Sequence, residues 1–372
     1  MVTETESPLI TSNYKPTKEL SNEGADLVDR AKTYIRAILH DSLHIQPSER
    51  VYILYDEDVE LTQILTAAYA DIANEHTNID FTNFNQHTAD DILAHLATLK
   101  ANDCVILIQS QQFRLNEYRI RLELFKRNIK TIEHLHLNII KPKEYKNYVE
   151  SLAFSPVKYR DLALRIKDKL DKCQKVLVEC QDGSQCEYTG GMNDCKLNIG
   201  DYKGMSGIGG TYPIGEVFTE SRDLSKVNGQ MSIWAYPSLA KTLEIPPEPI
   251  VLTIKNGLIE FDPENGIYPK NSTETFNQLL TLIRDGEGEI CVREFGLGLN
   301  EGMGKSAIVT DISAFERQHG MHISLGKKHN IYKTSAIKTK QTRFHIDVFI
   351  DLKNITILDD NTCLFDDGKY LV

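Results

Sequence analysis

VYILYDEDVELTQILTAAYADIANEH (51–76) carries the clearest structural pattern in the chain, a strand followed directly by a helix. Its first six residues, VYILYD (51–56), predict a buried strand, and an acidic turn follows it. Residues 58–76 then read as a helix. A strand that leads into a helix in this way is typical of an open, mostly parallel α/β sheet.

The same alternation continues on both sides of this stretch. Toward the N-terminus, a helix should present Leu27, Ala31 and Ile35 on one face, preceded by a loose arm over residues 1–22. No glycine fingerprint follows any of the strands, so a nucleotide-binding role has little support. Toward the C-terminus, the sequence predicts strands at FTNF (81–84), CVILIQ (104–109) and IEHLHLNII (132–140), and a helix at DDILAHLATLK (90–100). Residues 23–175 are therefore predicted to form an α/β domain.

The sequence changes character near Lys175, where short strands separated by Gly, Asp and Asn turns replace the strand–helix alternation. Asn256-Gly257 is a strong signal for a hairpin turn. One helix is predicted to begin at Asn271, with Glu274 completing a capping box. Residues 176–372 should form an α+β domain of mainly antiparallel strands, and this domain holds the candidate metal ligands.

Composition narrows the class of protein. The 372 residues are 41% hydrophobic and 26% charged, which is ordinary for a soluble protein of two domains. The formal net charge of −11 disfavours nucleic acid and anionic membrane surfaces as partners. No apolar run approaches the roughly 20 residues of a membrane helix, and the polar N-terminus does not resemble a secretory signal. A cytoplasmic protein is predicted.

The seven cysteines show neither CxxC pairs nor a disulfide rhythm, which is typical of reduced thiols. Cys180, Cys186 and Cys195 are close in sequence and offer one possible metal site. Their spacing fits no usual zinc module, so histidines and carboxylates are the stronger candidates.

FHIDVFID (344–351) is the first candidate for metal binding. Alternate side chains of a strand face opposite ways, so His345 and Asp347 point to the same side and can meet at one ion. A buried carboxylate is costly unless it is paired or bound to metal. The alternative is a solvated face of an edge strand.

Three further residues complete the candidate set. GMHISLG (320–326) places His322 on a second strand, although a lone histidine there is more often an ordinary core residue. Glu216 lies in GGTYPIGEVFTES (209–221), and Glu294 lies just before a glycine-rich turn in REFGLGLN (293–300). Either glutamate alone is ordinarily a surface residue. Together, the two imidazoles of His322 and His345 and the carboxylate of Asp347 suit zinc, manganese, cobalt or ferrous iron.

Taken in order, these segments resemble the aminopeptidase T family of metallo-aminopeptidases over residues 176–372. The matching motifs are GEVFT (215–219), EFGLGLN (294–300), HISLG (322–326) and HID (345–347). The tail DLKNITILDDNTCLFDDGKYL also resembles the closing hairpins of that family. The N-terminal half is similar only in kind, as an α/β domain.

The resemblance implies a metal-dependent hydrolase that cleaves the N-terminal amino acid from a peptide, and commonly a homodimer. Two divalent ions, with Zn, Co or Mn expected, would be held by Glu216, Glu294, His322, His345 and Asp347, and Glu216 is also counted as catalytic. His329 occupies the position of a family tyrosine thought to steady the oxyanion. His329 is therefore a candidate hydrogen-bond donor or base. The alternative is an exposed basic turn, with Tyr332 supplying the hydroxyl.

Two other functions stay open at this point. Ring-cleaving 2,5-dihydroxypyridine dioxygenases resemble the same family, and His322, His345 and Asp347 fit their facial triad for one Fe(II). Retention of both Glu216 and Glu294 argues against that reading, because one iron does not need them. The third possibility is a non-peptidase tailoring or binding protein on the same scaffold.

Overall fold

The structure is a computed structural model that describes residues 14, 16–73, 78–116, 119–153, 155–326 and 344–372. The chain divides into two compact units. The first contains residues 1–156, 200–214 and 305–314, and the second contains residues 157–199, 215–304 and 315–372. The predicted boundary was a single one after residue 175, whereas two segments of the second half return to the first unit.

The elements follow one another in a strand–helix alternation first and in a run of strands afterwards. Helices of the described residues are α1 (Asn22–Ala37), α2 (Glu60–Ala73), α3 (Ala89–Thr98), α4 (Ile120–Lys126), α5 (Tyr145–Ser151), α6 (Pro156–Lys172), α7 (Glu274–Glu287) and α8 (Ile312–Phe315). The strands are β1 (Val51–Tyr55), β2 (Ile79–Asn83), β3 (Cys104–Ile108), β4 (Lys130–His134), β5 (Val176–Cys180), β6 (Gln185–Tyr188), β7 (Lys196–Asn198), β8 (Gly209–Tyr212), β9 (Glu216–Glu220), β10 (Val227–Pro237), β11 (Leu243–Glu244), β12 (Ile250–Lys255), β13 (Leu258–Ile259), β14 (Val292–Gly298), β15 (Gly320–Gly326), β16 (His345–Ile350), β17 (Leu352–Ile357), β18 (Thr362–Asp366) and β19 (Lys369–Tyr370).

The first unit is built on a parallel sheet, which confirms the predicted fold class. Its strand order over the described residues is β2-β1-β3-β4-β8, and every neighbouring pair is parallel. β1 and β3 are buried along their whole length, as expected for strands covered on both faces. Thr88 and Asp91 form a capping box that begins α3.

One predicted boundary in the first unit is corrected. The strand-like run at 132–140 ends at His134, because His136 adopts a left-handed backbone with φ of 57°. The N-terminal helix, α1, continues as a π-helical turn over Ile38–Ser42. The parallel sheet also gains β8 from the glycine-rich stretch that precedes Glu216, a strand that its sequence pattern did not predict.

The second unit is built on an antiparallel sheet, also as predicted. Along its main path in the described part of the chain, the order is β19-β18-β17-β5-β6-β10-β16-β15-β14-β9-β7. β12 pairs with β10, and β13 pairs with β12. One face of β14, β15 and β16 packs Phe295, Ile323 and Val348 into the core, and all three are fully buried.

The hairpin predicted at Asn256-Gly257 is confirmed. These two residues connect β12 to β13 with φ of 53° and 77°, the left-handed pair that a tight two-residue turn requires. The helix start predicted at Asn271 is wrong. Thr273 caps α7 by accepting a hydrogen bond from the Phe276 amide, while Asn271 itself has a positive φ that a helix does not permit.

Within the described part of the chain, no helix is both long and apolar enough to cross a bilayer.

Candidate metal centre

Four adjacent strands of the second unit carry all five predicted ligands. They are β9, β14, β15 and β16, which lie side by side in the sheet. Residues directly opposite one another across an antiparallel pair share a face. Glu216 lies opposite Gly298, His322 lies opposite Gly296, and Asp347 lies opposite Ser324. Glu294 shares a face with both glycines because it lies two and four residues before them on β14.

Two glycines on β14 create the space in which the ligands meet. A Cβ atom at Gly296 would lie 2.7 Å from Cδ2 of His322 and nearer still to Nε2 and Cε1. The imidazole therefore lies across the bare backbone of Gly296. A Cβ at Gly298 would lie 2.7 Å from the Arg317 carbonyl oxygen and nearer still to that of Gln318. Gly298 thus allows the segment that carries Arg317 to approach the sheet.

The five side chains form two overlapping groups whose ligand atoms lie within 4.8 Å of one another, and Glu294 belongs to both. In the first group, His322 Nε2 is 3.3 Å from Glu216 Oε1 and 3.3 Å from Glu294 Oε1. In the second, His345 Nε2 is 3.6 Å from Glu294 Oε2 and 3.3 Å from Asp347 Oδ1. Glu294 therefore directs one oxygen to each group.

These separations are long for hydrogen bonds, and they also match the spacing of ligands around one ion. Good hydrogen bonds from nitrogen to oxygen span about 2.7–3.2 Å. Two ligands bound tetrahedrally to one ion at about 2.0–2.1 Å are about 3.3–3.4 Å apart. Among the described residues, His322 Nδ1 and Asp347 Oδ1 are buried without a hydrogen-bond partner. The nitrogen and carboxylate donors therefore suit a divalent cation in chemistry and spacing.

Burial strengthens the electrostatic coupling within the cluster. Glu216, Glu294 and Asp347 are each less than a tenth exposed, and His322 is 1% exposed. Burial raises the pKa of Glu216, but Arg317 and His322 outweigh burial, so the net pKa is lowered. Burial likewise raises the pKa of Asp347, and the neighbouring His345 brings it below its usual value.

The pKa values of Glu294 and His322 move upward. Burial raises the pKa of Glu294, and the nearby charges of Glu216 and Asp347 add to that effect. For His322, burial lowers the pKa, but hydrogen bonds to Glu216 and Glu294 prevail and raise it to about 10. A proton on His322 thus compensates part of the negative charge that a divalent cation would compensate more fully.

Solved structures of other proteins share the fold. No protein-family model matches the sequence, and no curated protein sequence matches it. The chain is similar to a 2,5-dihydroxypyridine dioxygenase from Pseudomonas putida KT2440, with a TM-score of 0.62 and 15% identity over 95% of this chain and 99% of that one. It is also similar to AmpT, an aminopeptidase T, from Thermus thermophilus, with a TM-score of 0.58 and 11% identity over 92% and 99% of the two chains. At these identities, the likeness shows a common fold, one that these two enzymes share.

The sequence pattern did not identify Arg317 as part of the site. Its Nε lies 3.8 Å from Glu216 Oε2, its side chain is 11% exposed, and its Nη1 also pairs with Glu316. The segment FERQHG (315–320) shows no regular pattern of polar and apolar residues. Its sequence therefore does not predict which charged side chain points into the site. The available signal was Gly298, whose missing side chain admits the neighbouring backbone.

An aromatic cluster borders the centre and was also not predicted. Phe349 lies opposite His322, with ring centroids 6.3 Å apart. Phe315 and Trp234 pack on Phe349 at centroid distances of 5.1 and 6.4 Å. These rings form an apolar wall that restricts water beside the imidazole of His322. His345, whose side chain is 34% exposed, is the most accessible of the five candidate ligands.

The remaining predicted residues fall elsewhere. His329 and Tyr332, the candidates for a catalytic donor, lie outside the described residues, so their roles stay predictions. Cys180, Cys186 and Cys195 are buried free thiols and belong to neither of the two candidate metal groups found in the described residues.

Proposed function

We propose that this protein is a metal-dependent hydrolase whose centre binds two divalent cations, with Glu294 as the ligand common to both. The observation that carries the proposal is the pair of overlapping groups, each with three potential ligands and each using a different oxygen of Glu294. A single ion has no need of five such ligands, since catalytic sites of this kind use about three protein ligands per ion.

The donor set indicates which ions would bind. Glu216, Glu294 and His322 would hold one, and Glu294, His345 and Asp347 the other. Imidazole combined with carboxylate favours zinc, cobalt or manganese. Paired divalent ions polarise a carbonyl group and lower the pKa of a bound water, which is the chemistry of amide hydrolysis.

The residues of the chain give the two positions different roles. The position at His322 is enclosed, because the imidazole is 1% exposed and lies beside the Phe349 ring. The position at His345 is open to solvent, and substrate would approach there. Arg317 adds a fixed positive charge beside Glu216, which favours an anionic oxygen in the neighbourhood of the first position.

A peptide with a free N-terminus is the substrate we propose. The support is the order of the four motifs that resemble aminopeptidases and the fold shared with AmpT. His329 or Tyr332 would supply the donor that steadies the developing oxyanion. We also propose that the protein is a homodimer, because of the family resemblance. We propose that it is cytoplasmic, because of the character of its sequence.

An oxygenase is the second candidate. The fold shared with the dihydroxypyridine dioxygenase supports it, together with the presence of His322, His345 and Asp347. Among the described residues, these three side chains do not by themselves form a group whose ligand atoms all lie within 4.8 Å of one another. Each of them instead belongs to a group that contains Glu294. Sharing of Glu294 therefore favours the hydrolase.

Metal stoichiometry and a substrate screen separate these functions. The purified protein should bind two equivalents of zinc, cobalt or manganese and release the N-terminal residue of aminoacyl or dipeptide substrates. Glu216→Gln should retain one equivalent, and Glu294→Gln should lose tight binding of both. Glu187→Gln is the matched control, because Glu187 is an exposed residue of β6 outside the centre.

Each competing function predicts a different result. One equivalent of iron, with oxygen consumed on a dihydroxypyridine, would replace the hydrolase with the oxygenase. Absence of tight metal binding in the wild-type protein would favour the third function, a tailoring or binding protein built on an enzyme fold.

A further inference from the structure

A cavity of about 410 Å³ in the first unit has no role in the proposed hydrolysis. It lies at the carboxyl edge of the parallel sheet, where Gln109 directly follows β3 and Glu133 is near the end of β4. Arg114, Arg119 and Arg121 line it from the connection to α4 and from α4 itself. In open parallel sheets, ligands commonly bind at this edge.

The described charged side chains that line the cavity are mainly positive, opposite to the net charge of the whole chain. Arg121 is already paired with side chains of the sheet, because its Nη1 donates hydrogen bonds to Glu133 at 2.7 Å and to Thr211 at 3.2 Å. That ion pair cancels one positive and one negative charge and leaves Arg114 and Arg119. Among the described residues, no hydrogen bond or ion pair engages either of them. Within the described residues, a chain of net charge −11 thus places two arginines without an ionic partner on one cavity.

Gln109 provides an independent sign of a ligand. It is 1% exposed, and its Oε1 accepts a hydrogen bond of 2.8 Å from the Phe113 amide. That bond fixes the orientation of the side-chain amide. Its Nε2 is buried and has no hydrogen-bond partner within the described residues. A buried donor without an acceptor is unfavourable, and an acceptor held in the cavity would satisfy it.

We propose that this cavity binds a small organic anion, carboxylate or phosphate, between Gln109, Arg114 and Arg119. The amide nitrogen of Gln109 donates to one anionic oxygen, while the guanidinium groups of Arg114 and Arg119 neutralise its charge. Arginine forks match both carboxylate and phosphate oxygens. The site belongs to the first unit and the candidate metal centre to the second, and the proposal does not rest on the proposed hydrolysis.

Calorimetric titration of the full-length protein with inorganic phosphate and, separately, with succinate tests this site. At least one of the two should bind and raise the melting temperature. Gln109→Glu keeps the acceptor for the Phe113 amide but replaces the donor with a negative charge, and should weaken binding at least about tenfold, the equivalent of one charge-assisted hydrogen bond. Arg119→Ala should do the same. Lys100→Ala, which removes one exposed positive charge from the same unit, should bind normally.

The results distinguish the sources of the anion and the site. Binding of phosphate alone indicates a phosphorylated ligand, and binding of succinate alone indicates a carboxylate. The proposal is refuted if neither anion binds at concentrations up to about 10 mM, beyond the weak end of specific affinity. It is also refuted if binding survives in both Gln109→Glu and Arg119→Ala but is lost in His322→Ala, since the anion would then be at the metal centre.

Discussion

Replacement of Gly296 by alanine should disable the metal position at His322 without altering any ligand. The added Cβ would lie 2.7 Å from Cδ2 of the imidazole and closer to Nε2 and Cε1, whereas ordinary contact begins at 3.4 Å. The ring must therefore move by more than 3.4 − 2.7 = 0.7 Å, because Nε2 and Cε1 lie nearer to the added Cβ than Cδ2 does. Ligand bonds tolerate about 0.2 Å, so a shift of this size removes His322 from the coordination sphere.

The expected losses follow from this displacement. Metal affinity at the first position should fall by more than the 10–100-fold that changes around a ligand usually cost, because the ligand itself is displaced. Overpacking should also lower the free energy of unfolding of the metal-free protein by about 1–3 kcal/mol. Metal content is measured by elemental analysis after dialysis, and stability by denaturant unfolding in the presence of chelator.

Two further variants make the interpretation specific. Gly304→Ala is the matched control, because the nearest heavy atom to its added Cβ lies 4.0 Å away, and it should retain both ions. In a His322→Ala background, Gly296→Ala should cost little stability, since the clashing ring is gone. If Gly296→Ala binds two equivalents with wild-type affinity, the placement of His322 across Gly296 is wrong.

Three other outcomes are expected. His345→Ala should reduce metal content to one equivalent and leave the ion at His322 in place, as measured by elemental analysis; loss of both ions would contradict two separable positions. Because the pKa of His322 is raised to about 10, it is protonated at pH 7–8, so binding of an ion there should release close to one proton and affinity should rise with pH. Calorimetry in buffers of different ionisation enthalpy measures that release, and a value near zero would refute a protonated His322. Thr88→Ala, which removes the side chain that caps α3 together with Asp91, should lower the free energy of unfolding by about 1 kcal/mol with metal content unchanged, and an unaltered denaturation midpoint would show that this cap contributes nothing.

The elements that the sequence predicted best are those in which a local pattern and a physical requirement agree. β1 and β3 are short apolar runs that only a covered sheet can bury, and both are strands. The turn at Asn256-Gly257 needs two residues with positive φ, and these residue types adopt that conformation readily. On β16, the alternation of side chains is enough to place His345 and Asp347 on one face.

The sequence pattern did not predict which strands pair when they are distant along the chain. β8 is the short segment GGTY, which begins with two glycines, and its membership of the parallel sheet depends on β4, which is distant in sequence. The convergence of Glu216 and Glu294 depends on the register between β9 and β14, and a slip of one residue would turn one of them to the opposite face. Motif order suggested that they meet, but only the register explains how.

The helix start at Asn271 shows a different kind of limit. Asn271 and Glu274 satisfy the capping-box pattern, and Thr273 is an equally good cap two residues later. Thr273 prevails in the structure, where its hydroxyl also bonds to Tyr236. Arg317 is comparable, because its inward orientation depends on the space left by Gly298 on another strand. In both cases, a tertiary contact selects among local alternatives.

Anomalous diffraction from a crystal loaded with zinc or manganese, recorded at the absorption edge of the metal, tests the two-ion centre most directly. The account predicts two peaks about 3.5–4 Å apart. One should lie between Glu216, Glu294 and His322, and the other between Glu294, His345 and Asp347. A single peak bound by His322, His345 and Asp347, with Glu216 uninvolved, would contradict the shared role of Glu294 and the hydrolase proposed from it.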